Sequence, residues 1–402
     1  TSLIINGVKI MKKIKLIMIA CLAALSAMAL MAFSGCSTTV ILNRYLDMNQ
    51  ATLAYMLTSD GEFTMYNVSD TPEAWMDYNY SASTDSVGRQ WEDRANDIKR
   101  VVVMENVSSI GNYTFYGNSN LTELHIGPDV TDIGENAFAN CLNLKTITID
   151  PANTAFSTEN GYLKQLSDNR IIRGTNVSEI VFDSTVSYIE PSAFAGLDNI
   201  KRVDMSQSSI TEISSTAFIN CTSLSEVVLP DTIVSIGDKA FANCTSLSNI
   251  NIQECSSLET IGETTFFNCA SLKSLTLPSS VSGIGILAFS QSGIETVTLM
   301  QSDVNISIGS NAFYECNSLK DVYVSNSTIA SRSSNSNALG YLLSTRYASS
   351  TGTINRKMNV YIAVSCYDAD NLGNYLKDTT VYTKADENVT VDGVEYVLYQ
   401  AV

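Results

Sequence analysis

The sequence predicts a β-rich solenoid of parallel strands joined by short convex turns or strands, with small β caps at both ends. Three observations predict it. A 23-residue unit, Leu224 to Cys244 followed by two residues, begins again at Leu247. Eight phenylalanines recur at near-constant spacing, and ten six-residue blocks share one apolar pattern. Self-similarity at a period of twenty-odd residues marks an array in which each unit buries its apolar face against its neighbours.

Residues 1–35 read as an export segment, with 1–10 upstream of an expected start at Met11. Lys12, Lys13 and Lys15 form a basic head, and Leu16 to Phe33 is an uncharged, mostly apolar run of 18 residues. Small residues then precede a cysteine, Ser34-Gly35-Cys36. That ending resembles the lipobox of bacterial lipoproteins, although Phe33 stands where the box usually has Leu. The resemblance implies lipid attachment at Cys36 and a membrane partner through that anchor. The alternative is an uncleaved transmembrane anchor, since the run approaches the roughly 20 apolar residues a span needs. Both readings export the rest of the chain, to the extracellular face of a membrane.

Residues 36–97 read as a lipidated linker and N-terminal β cap. Leu53 to Asn67 holds two β-like runs around Ser59-Asp60-Gly61, a hairpin signal. The acid-rich Trp91–Asp97 stretch reads as a solvated turn or helical face.

Residues 98–324 carry the repeats. Phe115, Phe138, Phe194, Phe218, Phe241, Phe266, Phe289 and Phe313 are spaced by 23, 56, 24, 23, 25, 23 and 24 residues. The strand blocks begin at Ile98, Leu121, Leu144, Val177, Ile200, Leu224, Leu247, Leu272, Ile294 and Leu319. In each, positions one, four and six are apolar, and the last two keep the two-residue alternation of a strand with one buried face. Pro230 and Pro278 end their strands, and an apolar pair such as Ile233/Ile236 follows. Gly134, Gly237, Gly262, Gly285 and Gly309 are expected to turn the backbone before each Ala-Phe pair. The double-length interval holds an inserted hairpin near 151–175, with Ser167-Asp168-Asn169 as its turn. Residues 325–402 read as a C-terminal β-rich cap, in which Met358, Val360, Ile362 and Val364 alternate as one strand would. The Asp368–Asp370–Asn371 cluster reads as a surface turn.

Five cysteines, Cys141, Cys221, Cys244, Cys269 and Cys316, sit three residues after a repeat Phe. Asn118, Leu197 and Ser292 hold equivalent positions, so a small buried residue closing the turn explains the column better than disulfides do.

The unit L-x-x-[LIV]-x-[LIV]-P-x-x-[VI]-x-x-I-G-x-x-A-F-x-x-C, seen at Leu121–Cys141, Leu224–Cys244 and Leu272–Phe289, resembles the BspA-like leucine-rich repeats of bacterial surface proteins. The resemblance covers about 230 residues and implies a leucine-rich-repeat solenoid. It also implies a surface adhesin that binds host matrix proteins or other cells.

Composition narrows the function classes. The 402 residues are 45% apolar and 16% charged, with a formal net charge of −17. Such a body has apolar content enough for a core and repels nucleic acid, so no nucleic-acid partner is expected. No phosphate-binding loop, nucleophile elbow or metal motif occurs, and neither an enzyme nor a cofactor is expected. The one histidine, His125, lies at an outward position of its strand block. The candidate binding face consists of outward positions: Arg100, His125, Lys201, Arg202, Asp204, Asn251 and Tyr323. Mixed polar columns with isolated aromatics suit an extracellular protein or glycan ligand. A structural envelope protein that associates with itself is the alternative.

Overall fold

The computed structural model describes residues 40–45, 53–67, 72–74, 89, 91–302, 304–326, 358–366 and 382–401. The export segment, Cys36 and the Asp368–Asp370–Asn371 cluster lie outside them. The chain divides into two compact units, Thr1–Thr158 with Leu163–Ser167, and Glu159–Tyr162 with Asp168–Val402. The division falls within the inserted segment of the repeat region.

In the first unit the hairpin forms as its sequence predicts. Leu53–Thr58 and Glu62–Asn67 pair antiparallel, and Val40–Tyr45 adds a further antiparallel strand outside them. Gly61 takes the left-handed conformation the turn needs, φ +92°. Glu62–Asn67 then runs parallel to Arg100–Val103, which pairs with Glu123–Ile126, and that with Thr146–Ile149. The cap therefore supplies the first strand of the row. Tyr55, Phe63 and Trp91, all fully buried, close over Phe115. Glu92–Asp97 is a largely exposed 3-10 helix, as its acids lead one to expect, but it begins on the buried Trp91.

The inserted segment contains two turns rather than one. Phe156–Ser157 pairs antiparallel with Tyr162–Gln165, and Gly161 between them has φ +82°. At Ser167-Asp168-Asn169 the chain turns again, with Asn169 left-handed.

The second unit holds two rows of strands. Ile213, Ile236, Ile261, Ile284 and Ile308 stand opposite one another in an unbroken parallel row. The other row is interrupted. Glu179–Val181, Arg202–Asp204, Glu226–Val228 and Asn249–Ile250 form one parallel sheet, and Ser274–Leu277 opens the next. The interruption has a cause visible in the spacing. Phe241 to Phe266 is 25 residues, two more than the unit, and the coil takes up the excess as a 3-10 turn over Ile252–Glu254. The second sheet continues through Thr296–Ser302 and Asp321–Asn326 to Asn359–Ala363, also parallel. Thus the C-terminal segment first extends the row. Val394–Ala401 then covers its edge antiparallel and pairs with Tyr382–Lys384 and Val389–Val391. Met358, Val360 and Ile362 are buried, whereas Val364 is exposed in a 3-10 turn, so the alternation ends one step before the expected residue.

The repeat phenylalanines stack face to face inside each unit. Phe115 and Phe138 lie 5.6 Å apart in the first. In the second, Phe194, Phe218, Phe241, Phe266, Phe289 and Phe313 form a continuous column, for example 5.3 Å and 4° between Phe218 and Phe241.

The turns around each Phe depart from expectation. The chain goes left-handed two residues before and two residues after the Phe, as at Lys239 (φ +56°) and Asn243 (φ +62°) around Phe241. The repeat glycines have no positive φ there. They are needed because the preceding coil leaves no room: a Cβ on Gly237 would stand 2.8 Å from the Ile213 carbonyl oxygen.

The cysteine column is a set of buried free thiols. Each Sγ–H donates to the carbonyl of the Phe one coil back, Cys141 to Phe115 at 3.0 Å and Cys244 to Phe218 at 3.1 Å. Burial pushes the Cys221, Cys255 and Cys269 thiols up to about 12, whereas an unfolded thiol ionises near about 8.5. The folded chain then holds more protons than the unfolded one above about pH 9, so stability falls as pH rises toward 12. Iodoacetamide at pH 8 should leave these thiols unmodified in the native protein and label them in 8 M urea, about the strength that unfolds most domains. Rapid native labelling, read by mass spectrometry, would show that they are accessible.

Candidate binding face

Parallel pairing in register turns the outward residues of successive strands into columns, and their inward neighbours are buried. In the first unit the columns are Arg100–Glu123–Thr146 and Val102–His125–Thr148. Arg100 is shared between two carboxylates, Nη1 to Glu62 Oε2 at 2.8 Å and Nε to Glu123 Oε2 at 3.0 Å. His125 Nδ1 lies 3.0 Å from Thr148 Oγ1. That hydrogen bond joins neighbouring coils.

In the second unit Glu179, Arg202, Glu226 and Asn249 form one column, and Val181, Asp204 and Val228 the next. Arg202 donates to Glu179 Oε1 at 2.9 Å and to Asp204 Oδ2 at 2.8 Å, and its Nε lies 3.4 Å from Glu226 Oε1. The hydrogen bond to Asp204, then those to the two glutamates, hold the guanidinium in its charged form. Burial opposes ionisation of Asp204, but hydrogen bonds from Ser206 and Arg202 outweigh it and keep the carboxyl below its usual range. Lys201 is exposed and forms no ion pair with another described residue. Three carboxylates around one guanidinium leave this part of the face net negative, so what reads along the chain as a basic Lys201-Arg202 patch is an acidic cluster with a cation at its centre.

Asn251 is committed to the backbone. Its Oδ1 accepts the Leu229 N–H at 2.7 Å and its Nδ2 donates to the Leu229 carbonyl at 3.2 Å. The side chain thereby replaces the strand pairing that the 3-10 turn interrupts. Tyr323 lies in the other sheet, in the column Thr276–Thr298–Tyr323–Tyr361. It stacks on Tyr361 at 4.3 Å and 15° and meets Tyr396 edge-on. The structure therefore brings Arg202 and Asp204 together and leaves Asn251 and Tyr323 at other places in the unit. Tyr361 was missed at the sequence level, although the alternation of Met358, Val360 and Ile362 already turns it outward.

Among the described residues no group of three or more His, Cys, Asp or Glu side chains could hold a metal ion. No helix of the described residues is long and apolar enough to cross a membrane.

Coils of parallel strands with a Phe core and a glycine close-approach column define a leucine-rich-repeat solenoid. The chain belongs to the family of the BspA type leucine rich repeat region, whose model matches residues 92–171, 164–257 and 255–359, with six copies. Solved structures that resemble it include a leucine-rich repeat protein from Bacteroides ovatus, at 22% identity over 74% of this chain and 72% of that one, TM-score 0.43. A leucine rich cell surface protein from Faecalibacterium prausnitzii matches at 17% identity over 69% of this chain and 89% of that one, TM-score 0.30. The pneumococcal vaccine antigen PcpA matches at 15% identity over 72% and 88%, TM-score 0.34. No curated protein matches the chain.

Proposed function

We propose that this is a non-catalytic cell-surface binding protein. Its outward columns engage an extracellular protein or glycan, and Cys36 carries a lipid that anchors the chain to the membrane. The observation that carries the reading is the register: inward residues of each strand are consumed by the core, while outward ones line up coil after coil on a surface the core does not need. Membership of the family supports a surface role, and the names of similar structures, a cell surface protein and a vaccine antigen, agree with it.

The test is capture. The protein, immobilised through its N-terminal side, is exposed to extracellular-matrix proteins and mucosal glycoproteins beside a Lys201→Glu/Arg202→Glu variant. A saturable partner supports the reading, and its loss in the variant maps the contact to the acidic cluster. Self-association that rises with concentration, with no foreign partner, would favour the envelope-assembly alternative instead. For the anchor, Cys36→Ser should release the protein from the membrane fraction into the soluble fraction. Retention at wild-type levels rules out acylation as the tether.

A further inference from the structure

We propose that Ser274, Thr276, Thr296, Thr298, Asp321 and the open face of Tyr323 form a binding site for a neutral pyranose unit of a glycan. The inference rests on the binding reading above and names a ligand class for one part of the face.

The register builds the site. Ser274, Thr296 and Asp321 stand opposite one another on three adjacent strands, and Thr276, Thr298 and Tyr323 do so two residues along. Tyr361 occupies the next strand and covers one face of Tyr323, with ring centroids 4.3 Å apart and planes 15° from parallel. That separation is close to the roughly 4.8 Å between strands, so the ring normal points along the stacking direction. The other face of Tyr323 must then look back over Thr298 and Thr276. Threonine is too short to cover a phenol ring, and Tyr323 is only half-buried.

The floor in front of that ring is made of hydroxyls with spare capacity. Elsewhere in the solenoid, threonine and serine hydroxyls are used: Thr122 donates to Lys99, Ser225 to Lys201, and Ser280 to Leu258. Among the described residues the hydroxyls of Ser274, Thr276, Thr296 and Thr298 have no hydrogen-bond partner, and all four residues are exposed or half-buried. Asp321 borders them, oriented by an Asn359 Nδ2 donor at 2.9 Å.

A pyranose matches this inventory. Its axial C–H face is weakly positive and suits the negative face of an aromatic ring. Its hydroxyls both donate and accept, as those of serine and threonine do, and a carboxylate such as Asp321 can accept from two of them. A protein partner would instead want apolar pockets for anchoring side chains, and this floor is made of hydroxyl-bearing residues. The carboxylate and the acidic chain disfavour an anionic sugar.

Isothermal titration of the full chain with cellohexaose, chitohexaose, β-1,4-galactohexaose, α-mannohexaose and a galacturonate oligomer tests the site. Saturable binding of at least one neutral hexasaccharide, without binding of the galacturonate, is expected. Thr298→Arg, a surface change that fills the space before the ring, should abolish it. Tyr323→Phe should retain it, and Tyr323→Leu should weaken it about tenfold, the order expected for loss of a ring contact with its buried area. A urea midpoint equal to wild type confirms that each variant is folded. Failure of all neutral probes, or binding indifferent to Thr298→Arg and Tyr323→Leu, overturns the site. If the protein still captures a matrix partner in that case, the broader binding reading stands. If it captures nothing, both fail.

Discussion

Gly285→Ala will destabilise the second unit by about 3 kcal/mol or more, while Gly283→Ala, two residues away, will leave stability unchanged or raise it by about 0.5 kcal/mol. The pair isolates one cause. A Cβ on Gly285 would stand 2.5 Å from the Glu263 nitrogen, 2.5 Å from the Gly262 carbonyl carbon and 2.6 Å from its oxygen. These are backbone atoms of the preceding coil, tied into the ladder by Gly285 N–H to the Ile261 carbonyl at 2.8 Å, and they cannot yield without breaking it. A Cβ on Gly283 meets only Thr260 Cγ2, at 3.5 Å, an ordinary contact. Neither glycine has a positive φ, so conformational strain does not separate the two. Urea unfolding of both variants checks the difference. Equal effects would mean that the coils can separate to admit a methyl group, and that close approach is not what the glycine column provides.

The glycine column shows how far the sequence could be read. Periodicity located Gly134, Gly237, Gly262, Gly285 and Gly309 and implied a common task, because identical neighbours recur around each. It could not say which task. The left-handed turns fall instead two residues before the Phe, on residues such as Tyr113, Lys239 and Leu287 whose side chains do not announce it, and two residues after it, where Asn or Gly, as at Asn140, Gly196 and Asn243, does. The Phe stack and the thiol column were legible for the same reason as the glycines: each coil meets a copy of itself, so a residue's neighbour is its own counterpart one period away.

The candidate face was legible in its columns and not in its charges. Glu179, Arg202 and Glu226 follow one another in the outward column, and that order already contains the ion pairs that turn a basic dipeptide into an acidic cluster. Reading Lys201-Arg202 along the chain, rather than across it, hides them. Asn251 failed differently. The two extra residues of its coil convert strand to 3-10 turn, and an outward position becomes a backbone bridge. Features that occur once per unit left no periodic trace at all, and arginines carry the most consequential of these.

Arg173→Met should cost about 3 kcal/mol, because it leaves the Ala195 carbonyl, a position other coils satisfy with main chain, without a donor and takes a charged donor from two carbonyls beside it. Along the array, the N–H of the Phe and of the residue two beyond it donate to the next coil, as Phe218 does to the Ala240 carbonyl at 2.8 Å and Asn220 to Ala242 at 2.9 Å. In the Phe194 coil the guanidinium takes up part of this work. Arg173 Nη1 donates to Ser192 at 2.7 Å and to Ala193 at 3.3 Å, and Nη2 donates to Ala195 at 2.9 Å. The Ala193 carbonyl also accepts the Gly174 N–H at 2.7 Å and the Ser192 carbonyl the Ala195 N–H at 3.1 Å, so among the described residues it is the Ala195 carbonyl that has no main-chain donor. The first unit uses the same device at the equivalent carbonyls: Arg89 Nη1 donates to Thr114 at 3.1 Å and to Tyr116 at 2.9 Å, with Glu92 holding the other side of its guanidinium. Both arginines are buried. Methionine fills a similar volume without donors, so the loss measures the carbonyls rather than a cavity. Arg173→Lys should recover part of it, since one ammonium cannot span positions that a planar fork reaches together. Thermal and urea unfolding rank the three proteins. If Arg173→Met is as stable as wild type, the carbonyls find other donors and the arginine is a passenger. If lysine restores full stability, buried charge matters and the geometry of the fork does not.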